Sequence, residues 1–302
     1  MNQMELMRPA SHIVSISKLR VILLFIVIAL QLSGCSRFLF FPQKQWVRTP
    51  EQLGIEYEDV SLTSADGTKL SAWWLEAYGE VKGTIVFFHG NAENISTHLG
   101  SVYWLPEKGY QVLMLDYRGY GSSQGKPGIP EIFEDISAAL EWTLAEPRAN
   151  DKPVFIFGQS LGASMSGYVV ATRQDLHDGL TGVVLDAAFA SYPEIAREVA
   201  SRHWLTWAFQ YPASWTMPRK YNLIDYVSQI SPTPLLIIHG TQDTIIPFKN
   251  GEELFAAAGE PKNFLRYDGP HIETFKDLQL REMMLSFFAD AQARKKVQAA
   301  AP

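Results

Sequence analysis

This 302-residue chain predicts an α/β fold, a mostly parallel central sheet with helices on both faces. Two observations carry that prediction. From residue 84 onward, short continuous apolar runs alternate with stretches of helical periodicity, which is how strands covered on both faces read in a sequence. The composition is 47% hydrophobic, 19% charged and 12% aromatic, which excludes disorder, collagen and coiled coil as the main state. The length supports one large domain or two small ones with a substantial core.

The amino terminus stands apart from that pattern. Arg8, Lys18 and Arg20 precede an apolar run over 21–30, followed by Gln31, Leu32, Ser33, Gly34 and Cys35. A basic region, a short apolar region and small residues before a cut are the layout of a secretory signal peptide. The charge-free stretch over 21–36 is shorter than the roughly 18–20 residues that cross a bilayer core. Leu-Ser-Gly-Cys resembles a bacterial lipobox, which implies a lipidated Cys35 as the first mature residue; an uncleaved signal anchor is the alternative. Cys35 is also the single cysteine, so an intramolecular disulfide and a thiolate metal cage are excluded. Residues 1–34 are thus expected to be a lipoprotein signal peptide and 35–50 a membrane-proximal linker. Losing 1–34 takes three bases and one acid from the 26 and 32 of the whole chain, so the formal charge moves from −6 to −8. That balance argues against nucleic acid as a partner and against attraction to anionic lipid, leaving the acyl anchor to hold the membrane. Whether the anchoring membrane is an outer one is left open, although the serine after Cys35 resembles an outer-membrane sorting signal.

The domain is expected over 51–290. Two alternating strands, 55–63 and 69–75, are joined at Asp66-Gly67, a hairpin signal. Strands follow at 84–88 and 111–115. Ile132, Phe133, Ile136, Ala139, Leu140 and Leu144 recur at helical spacing. Further strands are expected at 154–157, 183–185, 235–238 and 264–267, with helices over 161–173 and 272–288. Residues 291–302 read as a flexible tail. Parallel sheets place their sites at the carboxyl ends of the strands, so those ends carry the chemistry.

After the strand at 154–157 stand Gly158, Gln159, Ser160, Leu161 and Gly162, with a helix immediately behind them. Gly-x-Ser-x-Gly between strand and helix is a nucleophile elbow, in which a strained turn pushes the serine hydroxyl into the open. The helix start then offers the Leu161 N–H to a developing oxyanion. A second match, Gly121 to Gly125 around Ser123, opens onto Lys126-Pro127-Gly128-Ile129-Pro130 and cannot start a helix, so Ser123 reads as loop. The missing helix also defeats a dinucleotide reading of Gly119, Gly121 and Gly125. His89-Gly90-Asn91 follows the strand at 84–88, and the Asn91 N–H is placed to complete the oxyanion hole, with His89 structural. Of the seven histidines, His271 follows the last strand in a loop and is the expected base; His239 is the rival. Asp243 and Asp186 both end strands within reach of His271; Asp243 is preferred because it lies one strand before the histidine loop.

Together, His89-Gly90-Asn91, Asp116-Tyr117-Arg118-Gly119-Tyr120-Gly121, the Ser160 elbow, His239-Gly240-Thr241-Gln242-Asp243 and Gly269-Pro270-His271 resemble the α/β-hydrolase superfamily. The set is similar to its membrane-associated branch that includes protein depalmitoylases. That resemblance spans about 56–288 and implies the α/β-hydrolase fold and a Ser160–His271–Asp243 triad, with no metal and no cofactor. It implies a small-molecule or lipid acyl substrate, cleaved at an ester or thioester; a peptidase or amidase, or a catalytically idle envelope binding protein, are the alternatives. An insertion over 187–222, rich in aromatics (Trp204, Trp207, Trp215 among them), implies a cap with an apolar acyl pocket; ordinary core is the competing reading.

Overall fold

The structure is a computed structural model that describes residues 39–202, 206–207 and 210–300. The expected signal peptide, Cys35 and Trp204 lie outside those residues.

Eight strands form one sheet: β1 (Tyr57–Thr63), β2 (Lys69–Leu75), β3 (Gly83–Phe88), β4 (Tyr110–Asp116), β5 (Val154–Gln159), β6 (Leu180–Asp186), β7 (Leu235–Gly240) and β8 (Lys262–Tyr267). Their spatial order is β8-β7-β6-β5-β3-β4-β2-β1. The β1–β2 hairpin turns at Asp66-Gly67 as expected, and β2 joins β4 antiparallel; all other pairs are parallel.

Side-chain alternation divides the apolar strands between two faces. Ile85 and Phe87 of β3, Val112 and Met114 of β4, and Phe155 and Phe157 of β5 share one core cluster with Ile95, Leu99 and Val102 of helix α1 (Ile95–Val102). The same cluster takes in Met284, Phe287 and Phe288 of the closing helix, Leu278–Ala300. Helices α2 (Glu131–Ala145) and α3 (Leu161–Thr172) pack on the other face. Between β6 and β7 the insertion folds as α4 (Tyr192–Ser201), α5 (Gln210–Trp215) and short 3-10 turns; α6 (Lys249–Ala257) follows β7, and the closing helix is α7.

Three expectations need correction. The closing helix begins at Leu278, not at residue 272. Ile272 has φ +52°, a left-handed conformation that a β-branched residue adopts only under strain and that stops a helix there. Asp277 then caps α7, its Oδ1 accepting from the N–H groups of Gln279 (2.7 Å) and Leu280 (3.2 Å). The carboxyl end is no frayed tail through residue 300: α7 continues to Ala300, Ala291 is buried, and Lys295 Nζ donates to the carbonyls of Asp178 and Leu180, both at 2.8 Å. Residues 39–50, expected as part of a membrane-proximal linker, pack on the domain. Phe41–Pro42 forms a two-residue parallel pair with Ala92–Glu93, Phe40 is buried, and Trp46 meets Trp73 edge to face at 5.0 Å. Two bulky apolar residues found core space there, and a stretch this short shows no periodicity by which a sequence reading could place them.

Candidate active site

Chain order places β4 on one side of β3 and β5 on the other. The order in which the chain adds strands therefore reverses between the parallel neighbours β3 and β5, and the loops after these two strands diverge to leave a crevice at their carboxyl ends. The turn at Ser160 and the turn at His89-Gly90-Asn91 stand at that crevice.

Ser160 has φ 55° and ψ −121°, a conformation closed to most L-residues. The two flanking glycines explain how it is tolerated. A Cβ at Gly158 would lie 2.6 Å from Ala163 Cα, and one at Gly162 would lie 2.3 Å from the carbonyl oxygens of both Phe88 and His89. The elbow is thus pressed against α3 behind it and against the end of β3 beside it. Ser160 N–H is held by the Asp186 carbonyl at 2.8 Å.

His271 reaches the serine from the loop after β8. Its Nε2 is 3.1 Å from Ser160 Oγ, and its Nδ1 is 2.6 Å from Asp243 Oδ2. The other carboxylate oxygen of Asp243 accepts the N–H groups of Ile245 and Ile246, both at 2.8 Å. Burial pushes the Asp243 carboxyl up, but hydrogen bonds from His239 and His271 and from the Ile246 N–H outweigh it and hold the group well below the usual carboxylate range. An ionised Asp243 fixes the tautomer with hydrogen on Nδ1, so the free electron pair on Nε2 faces the Ser160 hydroxyl.

The structure brings Ser160, His271 and Asp243 together and leaves the competing residues elsewhere. Asp186 makes no hydrogen bond to His271. It is fully buried, receives Gln159 Nε2 at 3.1 Å and the Thr274 hydroxyl, and burial raises its carboxyl above the ordinary range. Its work is to fasten the far end of the histidine loop. Ser123 is 1% exposed, donates to the Asp116 carbonyl at 2.6 Å and accepts Ser71 N–H at 2.8 Å, which makes it a structural residue of the loop. His239 gives Nε2 to the Ile246 carbonyl at 2.9 Å and braces the Asp243 loop. His89 is buried beneath the turn it belongs to, with Nδ1 at 2.7 Å from the Gly90 carbonyl and Nε2 at 3.7 Å from Asp116.

Asn91 and Leu161 both line the cleft beside Ser160. Leu161 opens α3, where an N–H has no acceptor within the helix. The Asn91 turn is gripped from the side by Tyr120, whose hydroxyl donates to the Asn91 carbonyl at 2.6 Å, and by Tyr117, whose hydroxyl donates to the His89 carbonyl at 2.9 Å. In the sequence these tyrosines stand only as part of the Asp116–Gly121 motif. Arg118 between them binds Asp135 through Nε and Nη2 (2.7–3.0 Å) and Asp66 at 2.8 Å, locking the loop that carries both. Burial of Asp116, at the end of β4, pushes its carboxyl up to about 7, while Ile95 N–H donates to it at 2.9 Å.

The cleft over Ser160 has a volume of about 390 Å³. Its walls are Ile195, Ala196 and Ala200 of α4, Ala213 of α5, Met217, and from the far side Leu39. The insertion over 187–222 therefore supplies walls of the cleft over the serine, and two of its tryptophans stay out of them. Trp207 and Trp215 are 61% and 72% exposed and are absent from the lining. On α5, Tyr211 and Trp215 are four residues apart and share one face, and Ala213 lies between them on the opposite one, which is the face the cleft uses. Leu39 was expected in a linker, and no pattern in the sequence tied it to a site.

A parallel sheet with a strained serine after β5, a histidine after β8 and a carboxylate after β7 defines an α/β hydrolase. The chain belongs to that family: its residues 79–231 match the family model described as serine aminopeptidase, S33. It is similar to the uncharacterized protein YfhR of Escherichia coli K12, with 35% identity over 243 residues covering 78% of this chain and 81% of that one. The lysophosphatidylserine lipase ABHD12 of Xenopus tropicalis is 30% identical over 268 residues, 80% of this chain and 68% of the lipase. The fold is also that of the Pyrococcus furiosus esterase Pf2001, at 22% identity and a TM-score of 0.68, covering 85% of this chain and 98% of the esterase. The protein is thus an α/β hydrolase of the esterase, lipase and peptidase type.

Proposed function

We propose that the protein is a serine hydrolase that cleaves acyl esters or thioesters, held at a bacterial envelope membrane through a lipidated Cys35. The observation that supports the chemistry best is the relay of 3.1 Å from Ser160 Oγ to His271 Nε2 and 2.6 Å from His271 Nδ1 to Asp243. Ser160 Oγ attacks the acyl carbonyl carbon while its proton passes to His271 Nε2. The carbonyl electrons move to oxygen, which the Asn91 and Leu161 N–H groups receive. As the tetrahedral adduct collapses, the imidazolium gives its proton to the leaving alcohol or thiol, leaving an acyl-serine. Water then repeats the sequence: His271 takes its proton, the acid departs, and Ser160 Oγ recovers the hydrogen.

The cleft supports an apolar acyl group over an amino-terminal peptide end. Among the described residues its lining carries no charged side chain, whereas a free α-amine needs a carboxylate partner to leave water. The alternative of amide cleavage is tested alongside: a panel of acyl esters, thioesters and aminoacyl amides should show turnover on the first two, and a preference for the amides would overturn the reading.

Chain-length preference should be set by the small residues of the cleft wall. Ala213→Phe is expected to fill the cleft and to lose the contacts of about four methylenes, roughly 3 kcal/mol or some 200-fold in kcat/KM on long chains, with short chains little affected. Trp207→Ala and Trp215→Ala should leave the chain-length profile unchanged. Measured on one ester series, a profile that moves with the tryptophans and not with Ala213 would place the acyl group elsewhere.

The anchor is tested by the mass of the mature amino terminus. A chain beginning at a diacylglyceryl-modified Cys35 is expected, and Cys35→Ser should carry no lipid because the thiol is the atom the lipid is attached to. Intact protein that starts at Met1 with an unmodified Cys35 would make the segment a signal anchor instead.

A further inference from the structure

We propose that the rim of the acyl cleft is a lipid-docking surface, so that the protein sits with the mouth of the cleft against the bilayer that holds its amino terminus. The inference rests on the anchored-hydrolase reading above and adds an orientation to it.

Three residues both line the cleft and stand out into solvent: Phe41, 62% exposed; Val199, 54%; and Ile245, 50%. They come from three separate segments, the amino-terminal strand, α4 and the loop after β7. Single exposed apolar side chains are ordinary on a protein surface. Three large ones converging on the opening of one apolar cleft form a ring that water solvates poorly and that a lipid surface would cover.

The length of chain outside the structure says which surface that is. Leu39 is itself a wall of the cleft. Four residue steps separate it from Cys35, and fully extended they reach at most about 14 Å. A lipid on Cys35 therefore keeps the cleft wall within roughly 14 Å of the membrane whichever way the domain turns. The segment cannot peel away to lengthen that tether without breaking several bonds at once. Phe41 N–H donates to the Asn91 carbonyl (3.3 Å), Gln43 N–H to the Glu93 carbonyl (2.9 Å), and Gly121 N–H to the Gln43 carbonyl (3.0 Å). Asn94 Nδ2 holds the carbonyls of Gln43 (3.0 Å) and Gln45 (2.8 Å). The strap that leads from the anchor is thus pinned to the same turn that carries Asn91. With a formal charge of −8 on residues 35–302, the attraction is apolar, and the surface suits a zwitterionic bilayer as well as an anionic one. An acyl chain would then pass from the bilayer into the cleft along an apolar path, without entering water.

The single cysteine makes the orientation measurable. In the full lipidated chain, Val199→Cys and Ile245→Cys place a fluorophore on the rim. Lys152→Cys places one at the exposed amino end of β5, the opposite end of the strands. The proteins are reconstituted into phosphatidylcholine vesicles with and without doxyl-labelled lipid. The expected result is a loss of at least half the emission at 199 and 245 and of less than a tenth at 152. Equal quenching at all three sites, or none at 199 and 245, overturns the proposal. So does protection of the rim labels from aqueous iodide without quenching by doxyl lipid, which would mean that a second copy of the chain covers the cleft. Failure of the underlying readings is seen separately: a second equivalent of label reports an unmodified Cys35, and absence of fluorophosphonate reaction at Ser160 removes the hydrolase reading whatever the quenching shows.

Discussion

Ser160→Ala should lower kcat on any acyl ester by about six orders of magnitude, to the rate left by binding and the oxyanion donors alone; a bacterial serine protease of another fold, whose nucleophile was removed, sets that scale. The hydroxyl is the atom that bonds to the acyl carbon, so no neighbouring group substitutes for it. The fold should survive. The strained backbone at Ser160 is imposed by the packing of Gly158 and Gly162 and not by the hydroxyl, and alanine accepts the same turn. The matched substitution is Ser123→Ala. It deletes a buried hydroxyl that bridges Asp116 and Ser71, which should cost about 1–3 kcal/mol of stability while most activity remains. Steady-state rates, fluorophosphonate labelling and thermal unfolding on the two variants give opposite patterns. Activity lost at Ser123 and kept at Ser160 would end the proposed mechanism.

The second large effect is expected at Asp243. Asp243→Asn should lower the acylation rate by about two to four orders of magnitude, on the scale of the same change in a serine protease of another fold. An asparagine in that place offers an amide N–H as readily as an oxygen to His271 Nδ1. The histidine is then free to adopt the tautomer with hydrogen on Nε2, which cannot accept the Ser160 proton. Asp243 also receives two backbone N–H groups, so stability has to be followed by unfolding in the same samples. Asp186→Asn makes a sharp control. That carboxyl is already raised by burial and already bonded to Gln159 and Thr274, so an amide should sit there with little loss of rate. Equal losses at the two positions would move the orienting acid to β6.

In the proposed mechanism Tyr117 and Tyr120 are positioning residues for the oxyanion donor. Oxyanion donors act only if they are aimed before charge develops. The Asn91 turn does not itself open a helix as Leu161 does, and it is held by a tyrosine hydroxyl on the His89 carbonyl and another on the Asn91 carbonyl. Arg118 and Asp135 hold the tyrosines, one step further from the reaction.

What the sequence determined by itself was local. Continuous apolar runs marked β3 to β7 because a strand buried on both faces cannot alternate, and Asp66-Gly67 marked the hairpin because few other pairs accept that turn. The elbow was legible because its two glycines answer to contacts with the helix that follows at once or with the neighbouring strand end, a requirement that any such turn imposes. His271 was legible from its place after the last strand. What only the tertiary structure decided were contacts between segments far apart in the chain. Asp243 and Asp186 end neighbouring strands and read alike; which of them meets His271 depends on how the loop after β8 folds back, and that loop is shaped by Ile272, Asp277 and the bond from Thr274 to Asp186. The insertion was visible as an aromatic-rich stretch, yet Trp207 and Trp215 are exposed while alanines of α4 and α5 line the cleft, because which side of a short helix is covered depends on what packs against it. Leu39 and Phe41 show the limit most plainly. Nothing within 39–42 points to a site, and they enter it because Phe41–Pro42 pairs with Ala92–Glu93, an association fifty residues away that no local pattern encodes.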